Sequence, residues 1–82
     1  MSIETELQEF IATEVVVDAA AEGVLVDEPL VRSGRVDSMG LLQILGFIQQ
    51  RYGVDLASTG APSDFETVTS LAAAIRRSRG EV

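Results

Sequence analysis

The sequence predicts an all-α fold of four helices, three long and one short, with a long loop between the first helix and the second. Three observations predict it. Apolar residues recur at steps of three and four in three separate stretches, near residues 3–17, 38–52 and 68–79. The one β-branched run, Val15-Val16-Val17, is too short for a strand and finds no partner run elsewhere. The 82 residues, 46% of them hydrophobic, with two prolines, are enough for one core and too few for a second domain.

The first helix is read over residues 3–17. Ile3, Leu7, Phe10, Ile11 and Val15 share a stripe, while Glu4, Glu6, Glu9 and Glu14 fall mostly on other faces. Ser2 is placed to cap it, and acids in the first turn complement the helix dipole. From residue 18 to residue 37 the period is lost, and Gly23, Pro29 and Gly34 punctuate a long connection that includes a possible extra turn at 19–22. Leu25, Leu30 and Val36 are spaced to anchor this loop on the core, because structureless loops of such length are uncommon in small domains.

The second helix, residues 38–52, is the element around which the rest is organised. Leu41, Leu45, Ile48 and Tyr52 recur at four, three and four, and Ile44 widens the stripe. Met39, Leu42 and Phe47 lie off it, more apolar surface than one small core covers, and are read as a partner contact. Gly53 suits the left-handed residue that ends a helix. Val54 and Leu56 return to the core, residues 58–62 are turn material, and Pro62 opens a short helical turn to Phe65. The last helix runs from Val68 to about Arg79 with Thr67 as cap and Val68, Leu71, Ala72 and Ile75 inward. Arg76, Arg77 and Arg79 fall in its final turns, where cations offset the dipole. The expected core centres on Phe10, Leu45, Ile48, Leu71 and Ile75.

Composition removes several function classes. The net charge is −7, all six cations are arginines, and the first 31 residues hold eight acids and no base, a field that repels nucleic acid and anionic membranes. No apolar run approaches the roughly 18 residues of a membrane span. The N-terminus has no basic segment of a signal peptide and the chain has no cysteine, so a cytoplasmic protein is expected. Histidine, cysteine and lysine are absent and no carboxylate pair is set for acid/base work, so no nucleophile–base set assembles and no metal-ligand spacing occurs. The expectation is a protein that is not an enzyme; any thiol chemistry must come from a cofactor.

Asp37 and Ser38 stand at the head of the second helix, where unpaired N–H groups and the dipole favour negative charge. Either residue is suited to cap it, and a hydroxyl held there also suits attachment of a phosphate group. Read alone, the pair leaves both possibilities open.

The wider pattern resembles a family. Asp37-Ser38-Met39 followed by Leu41-Leu42, with Leu30 and Gly34 upstream, Tyr52-Gly53-Val54 at the helix end and Phe65-Glu66-Thr67-Val68 leading to Leu71, resembles the acyl and peptidyl carrier proteins over about residues 3–75. The resemblance implies a small four-helix bundle of the acyl-carrier type. It implies 4′-phosphopantetheine, donated from coenzyme A, on Ser38, with Asp37 as motif partner. The implied partners are a phosphopantetheinyl transferase, an acyl- or aminoacyl-loading ligase or synthase, and downstream acyl-processing enzymes. A free-standing, monomeric acyl carrier is expected; the alternatives are a peptidyl or aminoacyl carrier, or a non-covalent helical interaction module in which Asp37-Ser38 only caps a helix.

Two features depart from the family pattern. The loop before Ser38 is one residue longer than the common form, with Ser33 where a leucine is usual. Residues 39–52 contain no Asp or Glu, whereas many carriers have an acidic second helix. Gly46, interior to this helix at a cost of about 0.5 to 1 kcal/mol against alanine, needs a reason. Either another helix packs closely there, or the gap accommodates a partner side chain or the acyl arm.

Overall fold

In the computed structural model, residues 2–15, 25–34 and 36–80 are described, and all regular structure among them is helical. The Ser2 side chain accepts the Thr5 N–H at 3.1 Å and opens α1 (Ile3–Phe10), whose inward face is Leu7. The helix then widens into a π-helical segment, Ile11–Val15, with Ile11 buried. There the Thr13 hydroxyl donates to the Glu9 carbonyl at 2.7 Å, competing with the backbone for an α-helical acceptor. Val16, Val17 and residues 18–24 lie outside the described residues, and with them the expected end of the first helix and the turn at 19–22.

The connection into α2 (Ser38–Tyr52) is a chain of turns tied down mainly through its backbone. The Leu30 N–H donates to the Glu66 carbonyl at 2.8 Å, the Val36 N–H to the Leu30 carbonyl at 3.1 Å, and the Thr69 N–H and hydroxyl both reach the Val26 carbonyl. Leu30 and Val36 are buried as anchors. Leu25 is not: it is 64% exposed, because the backbone bonds at Val26 already hold this end of the loop at the start of α4.

α2 buries Gly40, Ile44, Leu45 and Ile48, while Leu41 and Tyr52 of the predicted stripe are only half-buried. The helix is therefore rotated slightly from the expected face, with Ile44 and Ile48 fully enclosed. Gly53, at φ 70°, ends it, its N–H donating to the Gln49 carbonyl. Asp55 then caps a short helix, α3 (Leu56–Thr59), accepting from both the Ser58 N–H and hydroxyl, where turn material was expected up to Pro62. The predicted turn at Pro62–Phe65 is present as a 3₁₀ helix. The fourth helix, α4 (Val68–Ser78), begins at Thr67, which exchanges hydrogen bonds with Ser70 as a capping pair.

The core joins Leu7 and Ile11 of the first helix, Ile44, Leu45 and Ile48 of α2, Leu56 of α3, and Val68, Leu71, Ala72, Ala74 and Ile75 of α4, with Leu30, Val36 and Val54 from the connections. Burial of each large aliphatic chain contributes about 1.5 to 3 kcal/mol. Phe10, expected at the centre, packs against the core from its edge and stacks on Phe47, with ring centroids 4.2 Å apart.

The last-turn arginines, read from sequence as dipole partners, also make specific contacts. Arg76 grips Glu4 through two 2.7 Å hydrogen bonds and so joins α4 to α1. Arg77 reaches Asp64 at 3.1 Å, and Arg79 lies 5.9 Å over the Tyr52 ring. Glu6 accepts from Arg51 Nε at 2.8 Å and from the Tyr52 hydroxyl at 2.9 Å, joining α1 to α2.

These contacts set a pH dependence. The hydrogen bonds from Arg76 hold the Glu4 carboxyl below its ordinary value, those from Arg51 and Tyr52 do the same for Glu6, and the Ala61 N–H, with Arg77, does so for Asp64. Each lowered carboxyl stabilises the fold above its unfolded pKa and loses that contribution as pH falls through the folded one. Thermal melts are expected to show the midpoint dropping as pH falls from about 5 to about 3, with Glu4→Gln and Glu6→Gln flattening the drop. Partial burial and the bond to Glu6 push the Tyr52 hydroxyl up to about 12, so its stabilisation is present below the ordinary value of 10 and is lost as pH rises toward 12.

The two glycines of α2 stand in different surroundings. Gly46 is exposed, and among the described residues a Cβ built on it would meet nothing within 4 Å, so none of the described helices packs closely there. The close approach is at Gly40, where a Cβ would sit 2.7 Å from Val15 Cγ1 and 3.2 Å from Val36 Cγ1. Alanine is therefore expected to act with opposite signs. Gly46→Ala raises stability by about 0.5 to 1 kcal/mol through helix propensity, and Gly40→Ala lowers it by roughly 1 to 3 kcal/mol through overpacking. Urea titration of both variants checks the pair of signs.

Candidate functional site

The site is built from the turn that starts α2. Asp37, in extended backbone at φ −94° and ψ −174°, turns its side chain forward so that Oδ1 accepts the Gly40 N–H at 2.8 Å. Of the two residues suited to cap the helix, Asp37 is the one that does so. Ser38 is consequently the first helical residue, exposed, and its hydroxyl takes no hydrogen-bond partner among the described residues. Had Ser38 been the cap, its oxygen would have been occupied by a backbone N–H. Instead a primary hydroxyl faces solvent at the positive end of a 15-residue helix dipole.

Met39 and Leu42 flank this hydroxyl on the outer surface of α2, at 72% and 62% exposure. They are apolar side chains that the fold itself leaves uncovered. The structure does not bring Phe47 to them: it is half-buried and stacked against Phe10 on the side of α2 that meets α1. Sequence spacing showed only that Phe47 lay off the main stripe, and the aromatic at position 10 was the available signal that it had a partner within the chain.

An unpredicted feature lies beside the site. Leu41, one turn along from Ser38, forms part of the wall of a cleft of about 220 Å³, together with Pro29, Val31, Pro62 and Phe65. Arg32 and Glu66, both exposed and 3.3 Å apart, complete the lining. The cleft arises because the loop is pinned to Glu66 through the Leu30 N–H, which holds Pro29 and Val31 opposite the 3₁₀ turn. Pairing of position 30 with position 66 is a long-range contact that no local pattern announces.

Among the described residues no group of three or more His, Cys, Asp or Glu is gathered so as to hold a metal ion, and no helix is long and apolar enough to cross a membrane. No protein-family model and no curated protein matches the chain.

Proposed function

We propose that this chain is an acyl carrier, holding acyl intermediates as thioesters on a 4′-phosphopantetheine arm attached to Ser38. The observation that carries the reading is the division of labour at the head of α2: Asp37 spends its side chain on the Gly40 N–H, and the Ser38 hydroxyl is left exposed and unspent. The residues present fit a phosphodiester, since a helix N-terminus favours an anion and the oxygen to be esterified stands clear of the core. When bound, the group supplies a thiol, which the chain itself lacks. The protein's own share is presentation: α2 fixes the attachment oxygen, and Met39 and Leu42 beside it offer apolar surface to whichever enzyme approaches.

In this reading the helices form the bundle of the acyl-carrier type, the protein is cytoplasmic and monomeric, and it is a substrate of other enzymes rather than an enzyme. Its partners are a phosphopantetheinyl transferase, which draws the arm from coenzyme A, then a loading ligase or synthase, then acyl-processing enzymes. The lining of the 220 Å³ cleft beside Leu41, apolar but for Arg32 and Glu66, suits a hydrocarbon acyl cargo. The direct test is the intact mass after incubation with coenzyme A and a broad-specificity phosphopantetheinyl transferase. A gain of one phosphopantetheine is expected; an unchanged mass, where a control carrier is modified, refutes the reading and leaves Asp37 as an ordinary cap.

Docking through α2 follows from the same surface. With no carboxylate on α2 and Met39 and Leu42 exposed, recognition there rests on apolar burial, worth roughly 25 cal/mol per Å² and little screened by salt. Met39→Ala is expected to slow loading by the partner more than Asp55→Asn or Glu66→Gln, and the wild-type rate to fall only mildly as ionic strength rises. A steep salt dependence with Met39→Ala near wild type would place recognition on the acidic surface instead.

A further inference from the structure

A second open surface runs between the first helix and α2. Its floor is the Phe10–Phe47 stack, two half-buried rings 13° from parallel. One wall is Glu6, Glu9, Thr13 and Glu14, the other Gln43, Gly46 and Gln50. Two open grooves of about 500 and 300 Å³ share Phe10, Glu14 and Phe47 and merge into one trough.

The charge left unpaired on this trough among the described residues has one sign. Glu9 and Glu14 are exposed, and neither belongs to an ion pair among the described residues. The cation of α2, Arg51, is already held by Glu6. The α2 wall is also cut away at Gly46, where a Cβ would meet no neighbour within 4 Å among the described residues and where an exposed helical position would ordinarily carry a better helix former. The absent side chain lets a foreign backbone come close, while the rings beside it present apolar surface. An occupant that satisfies all of this has an apolar face for Phe10 and Phe47, basic residues along one flank for Glu9 and Glu14, and a rod-like backbone that lies between two helices.

We propose that the trough between the first helix and α2 is a docking site for a basic amphipathic helix of a partner protein. Apolar contact with the Phe10–Phe47 floor anchors it, Glu9 and Glu14 select its charge, and Gly46 sets how deeply it seats. The site does not depend on modification of Ser38.

The test is an NMR titration of amide shifts with a synthetic Lys/Leu amphipathic helical peptide of about four turns, against a Glu/Leu peptide of the same pattern. Shifts are expected to concentrate at residues 9–14 and 43–50 with the Lys/Leu peptide alone. Glu9→Gln combined with Glu14→Gln is expected to weaken binding roughly tenfold, and Gly46→Leu to block it with helical content unchanged. The proposal is overturned by shifts centred on Met39 and Leu42, by equal binding of the Glu/Leu peptide, by full affinity in a folded Gly46→Leu variant, or by no binding of the Lys/Leu peptide. The charge-neutralised double variant keeps the test decisive should Gly46→Leu fail to fold.

Discussion

Ser38→Ala is expected to abolish the phosphopantetheine mass gain altogether while leaving the protein folded. The effect on modification is all-or-none because the proposed bond is made to an oxygen that alanine lacks. The effect on stability is small for a separate reason. Ser38 is exposed and its hydroxyl is unpartnered among the described residues, so its removal leaves no buried group unsatisfied and a change within about 0.5 kcal/mol is expected. Asp37→Ala divides the two roles in the opposite sense. It removes the 2.8 Å cap to the Gly40 N–H, costs about 0.5 to 2 kcal/mol, and leaves the hydroxyl in place. Intact mass and thermal melts on the two variants separate attachment from capping. A modified Ser38→Ala protein would remove the site assignment, and a strongly destabilised one would show that the hydroxyl belongs to the structure after all.

What was legible in the sequence was whatever a local rule governs. Ser2, Thr67 and Gly53 end or begin helices as their side-chain chemistry dictates, and the inward residues of α4 follow from a period of 3.6. Asp37 and Ser38 were legible as a pair but not as individuals, because either oxygen suits a cap; which one turns forward is decided by the backbone angles at residue 37. The misplaced expectations all depend on contacts distant in sequence. Leu25 was expected to anchor the loop, but the bonds from Thr69 to the Val26 carbonyl do so. Of the two reasons open for Gly46, close packing by a neighbouring helix is not met among the described residues, and Val15 and Val36 close on Gly40 instead. Phe47, read together with Met39 and Leu42 as a partner contact, stands apart from them on the side of α2 where it stacks on Phe10. The short helix at Leu56–Thr59 went unread because Asp55 and Ser58 are equally good turn residues, and only burial of Leu56 tips them toward a helical turn.

The largest effect on stability is expected at Ile48. Its side chain is fully buried on the inward face of α2, within the cluster that also takes Leu7 and Ile11 from the first helix and Leu71 and Ile75 from α4. Truncation to alanine removes the transferred methylene groups and leaves a cavity among helices that cannot close without moving, a loss of about 2 to 5 kcal/mol. A domain of this length has roughly 4 to 12 kcal/mol in total, so one substitution can take half of it. Leu45 is 9% exposed and borders solvent, so Leu45→Ala should lie toward the lower end of the same range. Met39→Ala, at a side chain 72% exposed, should change almost nothing. Far-UV circular dichroism through a urea titration gives all three midpoints, and the order expected is Met39→Ala above Leu45→Ala above Ile48→Ala. The two core sites are three residues apart on one helix and share neighbours, so their losses need not add; even so, Ile48→Ala combined with Leu45→Ala is expected to abolish a cooperative transition in water. A cooperative, near wild-type double variant would mean that the interior is not built around this face of α2, and with it would fall the argument that leaves Met39 and Leu42 outside as surface for another protein.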